Sequence, residues 1–199
     1  MDTTTHFDIA IIGAGIAGAS VAALLAPHRS VLLLEAESQP GYHSTGRSAA
    51  MFMESYGPPA VRALTRASRT FYLQPAGAFS PTPLLGARGA LYVAAPEQLE
   101  NLQAFYNEMA PSCTGLLRLD TAQALERASC LRPERVAAAV LDTDAMDIDV
   151  HALHQGYLRQ MRKHGGVLRC NARVQSARRT ATGWELAFAD GEPVQAATV

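Results

Sequence analysis

The sequence predicts an α/β fold, and three observations carry that prediction. A short, wholly apolar run at Phe7–Ile12 stops at glycine, and a second apolar stretch follows it until Pro27. A third run, Ser30–Leu34, is leucine-rich and ends at an acid, Glu35. The last part of the chain instead shows three short segments separated by Thr182-Gly183 and Asp190-Gly191, the turn chemistry of an antiparallel meander.

The elements follow in order. Phe7–Ile12 reads as a buried strand, Ile16–Ala26 as a helix and Ser30–Leu34 as a second buried strand. A strand–helix–strand unit of this length is a right-handed crossover with parallel strands. Ala36–Gly46 is a polar, glycine-rich loop, and Arg47–Met53 is predicted as a short helix. Pro59–Tyr72 spaces Val61, Leu64, Ala67 and Phe71 along one helical face and sets Arg62, Arg66 and Arg69 on a solvated one. Ala90–Ala94 is a strand, and Pro96–Met109 a helix with proline in its first turn. Leu116–Leu119 is a strand, and Asp120 with Gln123 forms a capping box for a short helix. Val136–Leu141 is a further strand. Asp149–His164 is a helix with Val150, Leu153, Tyr157, Leu158 and Met161 on one face, ended by Gly165-Gly166. Val167–Cys170, Val174–Arg179, Trp184–Ala189 and Val194–Val199 complete the strands.

Composition excludes several classes. With 17 basic and 18 acidic residues in 199, the chain lacks the basic footprint of a nucleic-acid binder. Its three cysteines are odd in number and widely spaced, which supports neither a zinc site nor a disulfide framework, and no metal is expected. The apolar stretch Ile9–Ala26 is not a leader or a membrane span: the residues before it, Met1–Asp8, are acidic, and glycines interrupt it at 13, 15 and 18. No integral membrane segment is expected.

The chemistry centres on Gly13-Ala14-Gly15-Ile16-Ala17-Gly18. A GxGxxG run alone is weak evidence. This one leaves a predicted strand, opens a predicted helix and has Glu35 at the end of the next strand, the context of the dinucleotide-binding Rossmann fingerprint. Gly13 permits the tight turn, Gly15 lets the backbone approach a pyrophosphate, and Gly18 lets the helix pack closely on the strand. The helix N-terminus offers N–H groups and partial positive charge to phosphate. Glu35 accepts hydrogen bonds from ribose hydroxyls and repels a 2′-phosphate. The fingerprint does not separate FAD from NAD.

The segment after the acid, Gly41-Tyr42-His43-Ser44-Thr45-Gly46-Arg47-Ser48-Ala49-Ala50, resembles the Gly…Ser-x-Gly-Arg-Ser stretch of the FAD-dependent D-amino acid oxidoreductase (DAO) family, which includes glycine and sarcosine oxidases and D-amino acid dehydrogenases. The runs Asp144–Asp149 and His151–Leu158 are similar to the D-arginine dehydrogenase-like members. The resemblance spans essentially the whole chain. It implies FAD as cofactor, in a glutathione-reductase-type Rossmann-like domain with part of an antiparallel substrate domain inserted. The divisions it suggests are 1–74 for the first FAD-binding part, 75–141 for the start of the substrate domain and 142–199 for the second FAD-binding part with its meander.

The cofactor set it implies is Gly13, Ala14, Gly15, Ile16, Ala17 and Gly18, then Glu35 with Ala36, then Ser44, Thr45, Arg47, Ser48, Ala49 and Ala50. Arg47 would place positive charge near the phosphates and the hydroxyls would bond the ribityl chain. Val174 would bond adenine through its backbone, while its side chain reads as core packing. Met51 and Tyr56 are candidate substrate-site residues; Tyr56 reads equally well as an ordinary half-buried tyrosine. His43 reads as a local hydrogen-bonding residue, and His151 and His154 as surface residues or supports behind the site.

The implied reaction oxidises the CH–NH2 or CH–NH group of a small amino acid by hydride transfer to flavin N5, leaving an imine that water hydrolyses, with oxygen or a quinone as electron acceptor. Met51 and Ala90 replace a histidine and an acid of the D-arginine dehydrogenase-like members, so D-arginine is not the expected substrate. The alternatives are a 2-hydroxy acid or glycerol-phosphate dehydrogenase on the same fold, and a non-catalytic nucleotide-binding fragment. The expected location is the cytoplasm, or the periphery of the inner membrane. Family members run on past the equivalent of Val199 and carry substrate-clamping arginines there. The chain is therefore expected to be truncated, to leave the central strand edge unpaired, to hold FAD weakly and to be inactive alone.

Overall fold

The computed structural model describes residues 6–199; the first five residues, part of the acidic segment weighed above, lie outside the described residues. In chain order the elements are β1 (His6–Ile12), α1 (Ile16–Leu25), β2 (Val31–Leu34), β3 (Met51–Phe52), α2 (Pro59–Leu73), β4 (Leu85–Ala87), β5 (Ala90–Ala94), α3 (Leu99–Met109), β6 (Leu116–Leu119), α4 (Thr121–Arg127), β7 (Ala138–Asp142), β8 (Met146–Ile148), α5 (Val150–Lys163), β9 (Val167–Arg169), β10 (Val174–Thr180), β11 (Gly183–Phe188) and β12 (Val194–Thr198). They form two compact units, one made of residues 1–49, 75–84 and 150–199 and the other of 50–74 and 85–149.

The first unit is built on a six-stranded sheet in the order β10-β11-β12-β1-β2-β9. β12, β1, β2 and β9 run parallel, and β10–β11–β12 form the expected antiparallel meander. All four residues of β2 are buried, as a parallel strand covered on both faces requires. Side chains alternate between faces. Val31 and Leu33 pack with Ala19, Ala22 and Ala23 of α1 and Leu158 and Met161 of α5. Leu32 and Leu34 pack with Phe7, Leu186, Val194 and Ala196. The small side chains of α1 let it lie close to both β1 and α5. α5 ends where the sequence predicts: Gly165 has φ +82°, and the N–H of Gly166 returns to the Met161 carbonyl at 3.0 Å.

One expectation about this sheet fails. Truncation was expected to leave a central strand edge unpaired, but β1 has a neighbour on each side: β2, and β12 in parallel register, with His6 opposite Gln195 and Ile9 opposite Thr198. The third strand of the meander is itself the strand that covers β1.

The second unit has a three-stranded antiparallel sheet β5-β7-β6 and a smaller one, β3-β8-β4. α3 covers one face of the larger sheet through Met109, Val140, Tyr92 and Phe105, and α4 covers the other through Ala124, Ala139, Leu91 and Val93. The Asp120 capping box forms as predicted, its side chain accepting the Gln123 N–H at 2.9 Å. Two readings are corrected. Residues 47–53 are not a helix: a single 3-10 turn spans Ser44–Arg47, and Met51–Phe52 is drawn into a strand by pairing with Met146–Asp147. That pairing also joins residues 50–74 to the second unit. The arginine face of α2 is only partly solvated, with Arg66 exposed and Arg62 and Arg69 half-buried. Arg62 bonds Glu108 and the Gly57 carbonyl, and Arg69 bonds Glu54, while Val61 and Leu64 stand exposed.

Candidate functional site

The site is a backbone turn held by side chains from three other segments. β1 leads into Gly13, whose φ of +99° makes the turn. The Gly13 N–H bonds the Leu34 carbonyl at 2.7 Å, which ties the turn to the end of β2. A Cβ on Gly18 would lie 1.9 Å from the Gly13 carbonyl oxygen, so only glycine fits there. A Cβ on Gly15 would meet only the Thr45 hydroxyl, at 3.1 Å, and the rest of its surroundings are open.

Glu35 is buried and anchors the turn. Its Oε2 accepts the Ala14 N–H at 3.0 Å and its Oε1 accepts the Glu37 N–H at 3.1 Å. Each carboxylate oxygen keeps acceptor capacity beyond these bonds. The backbone of Glu35 is itself fixed, its N–H to the Arg169 carbonyl and its carbonyl to the Ala172 N–H. Cys170 lies close by; burial pushes its thiol upward, and the Glu35 charge adds to that.

The second cofactor segment meets the turn through Thr45, whose Oγ1 accepts the Ile16 N–H at 3.0 Å. The first intrahelical bond of α1 is that of the Ala19 N–H to the Gly15 carbonyl, so the Ala17 and Gly18 amides, like that of Ile16, have no helical acceptor. An open groove of about 540 Å³ runs beside this segment, lined by Gly41, Tyr42, Thr45, Arg47, Ser48, His151 and His154 among others. Ser44, Arg47 and Ser48 are exposed, and Arg47 lies over the Tyr42 ring at 4.9 Å. His43 bonds Glu37 at 3.1 Å, the local role expected of it.

The structure brings Gly13–Gly18, Glu35 and Thr45 together. Ala36 follows Glu35 directly and is half-buried, Ala49 is exposed, and Val174 is half-buried at the start of β10, packed with the core that includes Leu186. Ala50, Met51 and Tyr56 belong to the second unit, where Met51 is half-buried in β3 and Tyr56 is exposed. Of the two readings of His154, surface residue or support behind the site, the structure bears out the second. His154 is 3% exposed, and its Nε2 donates to the Ala14 carbonyl at 2.8 Å. The signal was in the sequence: His154, Leu158 and Met161 lie at i, i+4 and i+7, one stripe of α5.

The second unit holds a buried polar chain of its own. Ser55 Oγ donates to Asp142 Oδ2 at 2.5 Å and lies 3.0 Å from the Tyr92 hydroxyl. Burial pushes Tyr92 and Cys113 upward. No group of three metal-ligating side chains gathers among the described residues, and no helix there is long and apolar enough to cross a membrane.

A dinucleotide fits this arrangement. The turn presents amides at a helix N-terminus, lacks a side chain at Gly15 where a pyrophosphate would lie, and keeps a buried carboxylate at the end of β2. Comparison with known proteins agrees. Residues 8–199 match the family described as FAD dependent oxidoreductase. Among solved structures, glycine oxidase from Geobacillus kaustophilus superposes with a TM-score of 0.83 at 20% identity, over 98% of this chain and 54% of its own. L-alpha-glycerophosphate oxidase from Mycoplasma pneumoniae, with FAD bound, gives 0.79 at 14% identity, over 97% and 52%. L-proline dehydrogenase from P. horikoshii gives 0.74 at 17%, over 96% and 52%. At these identities the likeness is one of fold, and the chain spans about half the length of these structures.

Proposed function

The chain belongs to the family of FAD-dependent oxidoreductases, and on that premise we propose that it carries the FAD-holding part of an enzyme oxidising the CH–NH2 or CH–NH group of a small amino acid. The observation that carries the reading is the meeting of the Gly13–Gly18 turn with the Ser44–Ser48 segment through Thr45 and Ile16. The Ala17 and Gly18 amides would donate to the pyrophosphate, and Glu35, with acceptor capacity to spare, would take a ribose hydroxyl. Arg47 would stand close enough to the phosphates to favour their charge, and Val174 would offer its backbone to adenine. The flavin, when bound, supplies the acceptor for the hydride that leaves the substrate carbon. The protein's part is to hold the cofactor in one orientation and exclude water from it.

The amine reading is supported by likeness to a glycine oxidase and a proline dehydrogenase; likeness to a glycerophosphate oxidase favours a second reading, oxidation of a hydroxyl carbon. Met51 carries no proton-exchanging group and Ala90 no charge, so small neutral amino acids are the better substrates and D-arginine the poorer one. The electrons would pass on to oxygen or a quinone.

The test is to purify the gene product, record its visible spectrum and follow dye reduction with neutral amino acids, D-arginine, 2-hydroxy acids and glycerol phosphate. Flavin absorbance with preferential reduction by small neutral amino acids is expected. A protein that retains NAD and ignores FAD overturns the cofactor assignment. Turnover of glycerol phosphate or hydroxy acids alone replaces the amine reading with the second one. Flavin without any turnover leaves a nucleotide-binding module. D-arginine as best substrate by tenfold, about 1.4 kcal/mol of transition-state binding, overturns the specificity.

A further inference from the structure

We propose that His154 is a positioning residue of the dinucleotide site: by holding the Ala14 carbonyl it fixes the plane of the Ala14–Gly15 peptide and aims the Gly15 N–H. The inference rests on the FAD reading and adds to it a residue outside both cofactor segments. It starts from the planarity of the peptide. A trans peptide directs its C=O and its N–H to opposite sides, so fixing one fixes the other. The Ala14 carbonyl accepts the His154 Nε2–H at 2.8 Å, and the Gly15 N–H therefore faces the other way, from the side of the turn opposite the imidazole.

The preceding peptide is held in the same manner. The Ala14 N–H donates to Glu35 Oε2 at 3.0 Å, so the two peptides that flank Ala14 are each set by one buried side chain. A glycine-rich turn has more backbone freedom than any other kind. Without such restraints its amides would be ordered at the cost of ligand affinity, and pre-organising a site removes that cost.

His154 is well placed to be rigid. The ring is 3% exposed, and its helix is anchored one and two turns later by Leu158 and Met161, both fully buried against α1 and β2. On its other edge it touches the second cofactor segment. A Cβ built on Gly41 would lie 3.1 Å from the ring's Cε1 and 3.3 Å from Nδ1, and Gly41 has φ +78°. The same imidazole thus supports the fingerprint turn and seats the loop that begins at Gly41. Packing alone would be met by any residue of similar size, whereas the proposal needs an N–H at the Nε2 position.

The experiment compares His154→Gln, His154→Asn and His154→Leu in the whole gene product, with FAD affinity of the apoprotein read by flavin fluorescence and apoprotein stability by thermal melting. Gln places an amide N–H near the Nε2 position; Asn has the same group on a side chain too short to reach. The expected result is a Kd for His154→Gln within about threefold of wild type, and a Kd about tenfold weaker for Asn and Leu, about 1.4 kcal/mol. Equal affinity in all four proteins overturns the proposal, as does a Gln variant as weak as the Asn variant. If Asn and Leu prevent folding, long-range 1H–15N spectra of the wild-type ring decide it: a proton on Nε2 supports the proposal and a bare Nε2 overturns it. A wild-type protein without FAD affinity overturns the cofactor reading and this inference with it; wild-type affinity indifferent to residue 154 overturns this inference alone.

Discussion

The Gly13–Gly18 turn and the Gly41–Ser48 segment border one another and are built by opposite means. In the turn, the groups that matter are backbone amides, and what makes room for them is the lack of side chains at 13, 15 and 18. Its restraints come from elsewhere in the chain, from Glu35, Thr45 and His154. In the segment, the groups that matter are side chains, and Ser44, Arg47 and Ser48 are exposed. Apart from Thr45 on the turn, His43 on Glu37 and the packing of Gly41 on His154, its restraints are local: the Gly46 N–H to the His43 carbonyl, and the Ser48 hydroxyl to the Ser44 carbonyl. Changes in the turn should therefore act through the fold, and changes in the segment through binding with little effect on the fold.

The largest effect is expected at Gly18. Alanine is the better helix former by about 1 kcal/mol, yet its Cβ would lie 1.9 Å from a backbone oxygen that cannot swing away. Gly18→Ala should lose about 3 kcal/mol or more in urea unfolding; unchanged stability would break the contrast at its strongest point. Glu35→Ala comes next. It leaves the buried Ala14 amide and the part-buried Glu37 amide without their acceptor, and about 1–3 kcal/mol of stability should go with it. Flavin affinity should fall beyond what the stability loss explains if the carboxylate also takes a ribose hydroxyl.

Thr45→Val sits on the border between the two regions. It keeps the shape and removes one hydroxyl bond to the Ile16 N–H, so a stability loss of about 0.5–1.5 kcal/mol is expected, together with weaker FAD binding. An effect on stability alone would assign Thr45 to the fold. The smallest effect on the fold belongs to Arg47→Ala, within about 0.5 kcal/mol. Its signature lies in binding: FAD affinity should fall a few-fold at low ionic strength, and the gap to wild type should narrow as salt screens the charge. A salt-independent loss would point to its contact with the Tyr42 ring instead.

Sequence reading succeeded where the pattern is local. β1, α1 and β2 stand out because a parallel strand buried on both faces is apolar throughout and the glycines mark the turn. The meander stands out because Gly183 and Gly191, with φ of +150° and +102°, sit at its two turns. Reading failed where distant segments decide. β3, β4 and β8 are two or three residues long and have no periodicity to read; they exist because Met51 finds its partner in Asp147 and Ala87 in Met146. The stripe of α2 is a true helical pattern, but no residue of α2 is buried: Val61 and Leu64 stand exposed while Arg62 and Arg69 reach Glu108 and Glu54.

The sequence by itself determined the dinucleotide turn, the acid at the end of β2 and the kinship of the segment that follows, because each is written in neighbouring residues whose backbone conformations are set locally. Only the tertiary structure decided that Glu35 holds the turn as well as facing it, that Thr45 joins the two cofactor segments, and that His154, 140 residues from Ala14, is buried on its carbonyl. The physical reason is common to all three. A polar side chain in an interior is positioned by the partner that satisfies its hydrogen bonds, and that partner is chosen by how helices and strands pack, which no run of adjacent residues records.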